Sequence, residues 1–182
     1  EKVVSAFKAV SKEHPNARLI IAPRHPERFG EVEALLKKTG LEFSKRSAGG
    51  GGKVVLLDTI GELMPVYSFS TIAFVGGSLV PGIGGHNLLE PAYYGRPVLW
   101  GPHLTTYASM AELLEGNGGG FTVRDENDLA ERANALLSDK ALCERAGEAA
   151  RKVVEANRGA ARKSVEALEW FLKRSKNNRA TL

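Results

Sequence analysis

Three short clusters carry side chains whose types and spacing suit the recognition of an anion and of sugar hydroxyls. The first, Ala22–Arg28 (APRHPER), sets Arg24 and His25 between Pro23 and Pro26. A guanidinium pairs bidentately with a phosphate, and the two prolines fix the direction of the turn that presents it. A solvated arginine in a turn is the plain alternative. His25 reads as support for Arg24 or for the turn rather than as an acid or base. The second cluster, Asp58–Tyr67 (DTIGELMPVY), opens a short helix at Gly61 and Glu62, whose exposed N–H groups could read the edge of a base. Its plain version is a capping motif, with Asp58 or Thr59 as cap and Glu62 as the third-position partner.

The third and densest cluster runs from Ile72 to His103 as strand, glycine loop, helix start, strand and loop. Gly77, Ser78, Gly85 and His86 lie in the loop, and Asn87 and Glu90 open the helix. Glycines let a backbone come close to a ligand, and a helix N-terminus offers unpaired N–H groups, so an anion fits this combination. Asn87 and Glu90 read equally well as an N-cap and its capping-box carboxylate, or as a carboxylate that accepts hydrogen bonds from paired sugar hydroxyls. The loop is not a P-loop: Gly52-Lys53 is followed by Val54, and Ser47 stands where the first glycine belongs. It also lacks the dinucleotide fingerprint, because Asn87 replaces the third glycine, so no nicotinamide or flavin cofactor is expected. The four histidines show no metal-ligand spacing, and no metal is expected.

These clusters need a frame that brings them to one edge. Apolar runs at Arg18–Ala22, Leu41–Ser44, Val54–Leu57, Ile72–Val75, Pro97–Trp100 and Gly120–Val123 alternate with helical patterns, which predicts βα units and a Rossmann-like, doubly wound parallel sheet. Helices are expected at Glu1–His14, Glu27–Thr39, Glu62–Phe69, Asn87–Tyr94 and Tyr107–Glu115. A helical tail follows from about residue 125, as Asp125–Leu137, Asp139–Asn157 and Ala160–Lys173. Each cluster then follows a strand and sits at the carboxyl edge of the sheet, where open α/β sheets bind ligands. The first helix has no strand before it, so the sequence reads as a domain whose first strand belongs to chain outside these residues.

With 43% hydrophobic and 25% charged residues, the 182-residue chain is a folded domain rather than a disordered segment. Its single cysteine, Cys143, and the lack of a leader pattern point to a cytoplasmic, reducing setting. The net charge of +4 is uneven: residues 1–150 are net −2 and residues 151–182 are net +6. That basic tail lacks interleaved aromatics and a base-reading motif, so nucleic acid is not an expected partner. Trp170, Phe171 and Leu172 followed by Lys173, Arg174 and Lys176 suit peripheral contact with anionic lipid, docking on another domain, or a solvated face.

Taken together, Ala22–Phe29, Asp58–Tyr67 and Phe74–His103 (FVGGSLVPGIGGHNLLEPAYYGRPVLWGPH) closely resemble the C-terminal half of bacterial 3-deoxy-D-manno-octulosonic acid (Kdo) transferases. The resemblance spans nearly the whole chain. It implies the C-terminal donor-binding domain of a two-domain GT-B glycosyltransferase, with an N-terminal acceptor domain absent from these residues. The family transfers Kdo from CMP-Kdo to the lipid A precursor at the cytoplasmic face of the bacterial inner membrane, with no cofactor. On that resemblance Arg24 meets the donor phosphate, supported by His25. Gly77, Ser78, Gly85, His86 and Asn87 hold phosphate and sugar acid, Glu90 holds the ribose, and Gly61, Glu62 and Met64 border the cytosine. No catalytic base is expected in this chain, because the family draws it from the N-terminal domain. A UDP-sugar glycosyltransferase, a related epimerase and a non-catalytic nucleotide-binding module are the competing readings.

Overall fold

The computed structural model describes residues 1–158. Helix α1 (Lys2–Glu13) leads to β1 (Leu19–Ile21), α2 (Phe29–Thr39), β2 (Phe43–Lys45) and β3 (Val54–Leu56). Then come α3 (Leu63–Phe69), β4 (Ala73–Val75), α4 (Leu89–Tyr93), β5 (Val98–Trp100), α5 (Ala108–Gly116), β6 (Gly120–Thr122), α6 (Glu126–Ser138) and α7 (Lys140–Ala156). Every expected strand is present, and every pairing is parallel. The expected helix Ala160–Lys173 and the basic cluster after Trp170 lie outside the described residues.

Local sequence explains the helix limits. Gly40, in a left-handed conformation at φ 70°, ends α2. The Asp125 carboxylate accepts from the N–H groups of Asn127 and Asp128 and starts α6, and Asp139 starts α7 in the same way through Leu142 N–H. The starts of α2 and β2 lie two residues later than expected. Glu27–Arg28 belong to a 3-10 turn, Pro26–Arg28, because Pro26 takes the first position of that turn and α2 begins only after it. Strand β2 starts later than Leu41, whose N–H is tied to Thr39 Oγ1 at the helix exit.

The strands form two three-stranded sheets, β1-β3-β2 and β4-β5-β6. Val98, Leu99 and Trp100 of the central strand β5 are wholly buried, as are Val54 and Leu56 of β3, because helices cover both faces. Helix α1 joins the halves. Its Ala6 and Val10 pack with Leu129, Ala133 and Leu136 of α6, while Val4 and Phe7 pack over β3 with Leu36 of α2. On the far side, α7 packs Ala150 and Val153 against Leu88 and Ala92. The loops after β1, β3, β4 and β5 therefore leave a common edge. No helix among the described residues is long and apolar enough to cross a membrane.

Candidate functional site

A cavity of about 2150 Å³ opens at the carboxyl ends of the strands and runs down between the two half-sheets. Arg24 and His25 reach it from the loop after β1, and Gly61 and Glu62 from the loop after β3. Gly77, His86, Asn87 and Glu90 reach it from the segment after β4. Three expected site residues, Met64, Ser78 and Gly85, are not on this lining.

Arg24 is exposed and forms no ion pair among the described residues, so its five N–H donors face solvent over the cavity mouth. Next to it, His25 Nδ1 lies 3.8 Å from Glu27 Oε1. His86 is held below the ordinary histidine pKa, first by partial burial and then by the charges of Arg24 and His25, while Glu90 acts in the opposite sense. Arg24, His25 and Glu90 thus each lie within electrostatic reach of His86. The sequence scatters them over more than sixty positions, and the fold collects them.

Glu90 is half-buried and accepts a hydrogen bond from Asn87 Nδ2 at 3.2 Å, while Asn87 Oδ1 accepts from Leu89 N–H at 3.0 Å. The cap position falls on Leu88 rather than the expected Asn87, which bonds only the first helical N–H, and the Glu90 carboxylate is not used on the helix backbone. Helix α4 is also shorter than expected, five residues instead of eight, so it contributes little macrodipole and the positive character of the site comes chiefly from side chains. Tyr67, whose side chain carried no predicted role, is half-buried near Glu90. Burial and that carboxylate push its phenol up to about 12. Arg96 holds Tyr67 in place by donating from Nε to the Tyr67 carbonyl (3.0 Å) and from Nη2 to the Ser68 carbonyl (2.5 Å). The signal for Tyr67 was its place at the end of the DTIGELMPVY motif, within the helix that Glu62 precedes.

The loop after β3 is cross-linked to the turn Arg46–Ala48. Asp58 accepts from Ser47 N–H (2.9 Å) and Ser47 Oγ (2.5 Å), and Lys45 Nζ stands 3.8 Å away. Glu62 accepts from Arg46 Nη2 (2.9 Å) and from Thr59 Oγ1. Both carboxyls are held below their usual range, Asp58 first by the Ser47 hydroxyl and Glu62 first by the Thr59 hydroxyl. The expected capping box is therefore not formed: α3 starts at Leu63, and the Glu62 carboxylate bonds side chains rather than helix N–H groups. Gly61, at φ 88°, gives the chain the left-handed step it needs before the helix.

Ser78 departs most from its expected position. It is wholly buried, its hydroxyl donates to the Val75 carbonyl (2.6 Å) and accepts from Gly101 N–H (2.8 Å), and its own carbonyl accepts from His103 N–H (2.9 Å). It inserts as an extra rung between the ends of β4 and β5 and ties their two loops together. Gly77 allows this turn at φ 83°, where a Cβ would run into the Gly84 carbonyl.

The edge therefore offers cationic or polarisable donors (Arg24, His25, His86) and a carboxylate (Glu90) held by the Asn87 amide, around a glycine-lined opening. Guanidinium and imidazole groups can pair with an anion, and a carboxylate can accept hydrogen bonds from hydroxyls. No group of three or more His, Cys, Asp or Glu side chains converges as a metal site among the described residues.

The profile of the family described as Glycosyl transferases group 1 matches residues 1–153. Among curated relatives, the 3-deoxy-D-manno-octulosonic acid transferase of Haemophilus influenzae is 40% identical over 180 residues, covering 96% of this chain and 42% of that protein. The enzyme of the same name from Bordetella pertussis is 35% identical over 176 residues, covering 94% of this chain and 41% of that protein. The chain thus spans about two fifths of the length of these relatives. The crystal structure of the C-terminal CMP-Kdo binding domain of WaaA from Acinetobacter baumannii superposes with a TM-score of 0.78 at 29% identity, covering 84% of this chain and 81% of that one. The C-terminal domain of a group 1 glycosyl transferase family protein (LpcC) from Francisella tularensis shares the fold, with a TM-score of 0.59 at 16% identity, covering 86% of this chain and 79% of that one.

Proposed function

The chain belongs to the glycosyl transferases group 1 family, and on that premise we propose that it is the donor-binding domain of a Kdo transferase, holding CMP-Kdo for transfer to a lipid A precursor. The observation that carries this reading is the convergence of Arg24, His25, His86 and Glu90 on one glycine-lined edge. Arg24 takes the phosphate of the donor and His86 hydrogen-bonds it or the sugar acid. The Glu90 carboxylate, oriented by the Asn87 amide on Oε1, accepts from the ribose hydroxyls. The exposed Gly61 backbone and the cross-linked loop of Asp58 and Glu62 border the cytosine. Gly77 and Gly85 let the loop close on the ligand, and Met64 and Ser78 shape it from behind.

In transfer, the bond from the sugar to the phosphate breaks and negative charge grows on the departing CMP. Arg24, already aimed at that phosphate, meets the charge with little reorganisation. The acceptor hydroxyl must lose a proton to a base. We assign that base, with the acceptor site, to chain beyond these residues, since the relatives are more than twice as long. The setting is the cytoplasmic face of the inner membrane, with the chain as a peripheral partner of a lipid-linked acceptor.

Calorimetric titration with CMP and UMP tests the reading. CMP binds the isolated chain weakly but better than UMP, and the isolated chain does not transfer Kdo from CMP-Kdo. Equal affinity for the two nucleotides sinks the base assignment, and turnover by these residues alone sinks the assignment of the base to other chain.

A further inference from the structure

Helices α3 and α4 pack against each other, and Arg96, between α4 and β5, ties one to the other. Its backbone N–H bonds the Pro91 carbonyl of α4 at 3.2 Å. Its guanidinium donates to the Tyr67 and Ser68 carbonyls of α3, and Ser70 Oγ donates to the Tyr67 carbonyl as well, at 3.1 Å. The backbone of Tyr67 is thereby held at a fixed spacing from Pro91, the neighbour of Glu90, and the Tyr67 and Glu90 side chains both line the cavity. Tyr67 Oη forms no hydrogen bond among the described residues, and neither does Glu90 Oε2, because the Asn87 amide sits on Oε1. The one buried side-chain polar atom left without a partner among those residues is Asn134 Oδ1. Tyr67 Oη and Glu90 Oε2 are therefore open to the cavity rather than sealed in protein. An ionised carboxylate only accepts, whereas a protonated phenol can donate, and burial together with the Glu90 charge keeps this phenol protonated up to about 12. A sugar hydroxyl has one proton to give and lone pairs to receive one, so a carboxylate by itself satisfies half of it.

We propose that Tyr67 is a specificity-determining residue of the ligand site: its phenol donates to the oxygen of a ribose hydroxyl whose own proton goes to Glu90 Oε2. The proposal rests on the nucleotide reading of the site and adds a second residue that reads the sugar. Donor and acceptor side by side recognise a hydroxyl as such. A sugar that carries hydrogen at that carbon leaves both groups without a partner in a half-buried place, and such a site discriminates more strongly than a shape fit does. The phenol contacts the ligand and takes no part in breaking the bond to phosphate.

The test is an NMR titration of the full chain and of Tyr67→Phe with CMP, 2′-deoxy-CMP and 3′-deoxy-CMP. The parent binds the analogue that lacks the hydroxyl in question at least about 10-fold more weakly than CMP. Tyr67→Phe binds CMP roughly 5–10-fold more weakly than the parent does, but binds that analogue within about twofold of it, so the preference for the hydroxyl shrinks by the same factor. A residue that only supports the fold does not produce this split. An equal loss for CMP and both analogues, or no loss for CMP, overturns the proposal. Failure of the nucleotide reading shows instead in the parent, which then binds CMP no better than either analogue or not at all, and the proposal falls with it. If Tyr67→Phe does not fold, the parent isotope-labelled at tyrosine Cζ is read, with Tyr93→Phe, Tyr94→Phe and Tyr107→Phe assigning the other signals. CMP then shifts the Tyr67 signal and one deoxy analogue does not; a signal that ignores CMP, or that moves equally with all three, overturns the contact.

Discussion

Replacing Ser78 by alanine separates a structural hydroxyl from a ligand-binding one. The hydroxyl bonds the Val75 carbonyl at 2.6 Å and Gly101 N–H at 2.8 Å, and the residue has no exposed surface. In Ser78→Ala both groups lose their partner where water does not reach. Two lost bonds at about 1 kcal/mol each, plus the penalty of a buried orphan N–H, give about 3 kcal/mol of destabilisation. For a domain of this size that lowers Tm by roughly 6–12 °C. Differential scanning calorimetry measures the shift. Ser11→Ala is the control, since that hydroxyl is exposed and bonds only the Lys8 carbonyl, and its effect stays within about 0.5 kcal/mol. A CMP titration well below the transition gives affinity per folded molecule, which stays within about twofold of the parent in Ser78→Ala, a change of about 0.4 kcal/mol. A Tm loss under about 2 °C, or a tenfold loss of affinity at unchanged Tm, refutes the reasoning and returns Ser78 to the ligand.

Arg24→Ala lowers CMP affinity by roughly 10–100-fold, as for a lost charge-assisted contact, and leaves Tm unchanged because the exposed side chain has no ion-pair partner among the described residues; calorimetric titration and thermal melting check both. Glu90→Gln weakens CMP binding on the order of 10-fold without loss of stability, since the Glu90 carboxylate bonds only the Asn87 amide and no helix N–H group; a fall in Tm without loss of affinity assigns Glu90 a structural role instead. His86 has a lowered pKa in the fold, so the unfolded chain binds its proton more readily and stability declines as pH falls through the ordinary histidine range. A phosphate bound beside Arg24 reverses this bias, so CMP binding takes up protons below about pH 6.5, seen as a buffer-dependent heat in calorimetry. Tyr67 has a raised pKa, near 12, so the fold keeps the proton that the unfolded chain loses, and stability falls as pH rises from about 10 toward that value; Tyr67→Phe flattens that alkaline limb in chemical denaturation.

Much of the frame was legible because burial on both faces writes itself into sequence. The runs LIIA, VVLL, IAFV and VLW predicted strands within one or two residues, and in α1 Val4, Phe7 and Val10 are buried with the half-buried Val3 packed beside them. Asp125 and Asp139 start their helices as short polar side chains do. The ends of α3 and α4 were misread for one physical reason. A carboxylate three residues after a polar residue looks like a capping box, but Glu62 is drawn instead to Arg46 and Thr59, and Glu90 to the Asn87 amide.

The sequence by itself determined that three loops follow three strands and that each carries groups suited to phosphate and hydroxyl recognition. This follows from local periodicity and residue chemistry, which need no distant partner. Only the tertiary structure decided which of those groups face the cavity. Ser78 is spent as a rung between β4 and β5, while Tyr67 gains a place beside Glu90 through Arg96. The separation of the sheet into halves was equally a tertiary matter, because whether a strand edge is paired depends on what lies next to it in space. Hydrogen-bond satisfaction of a buried hydroxyl or an inner strand edge is a non-local property, and no spacing along the chain encodes it.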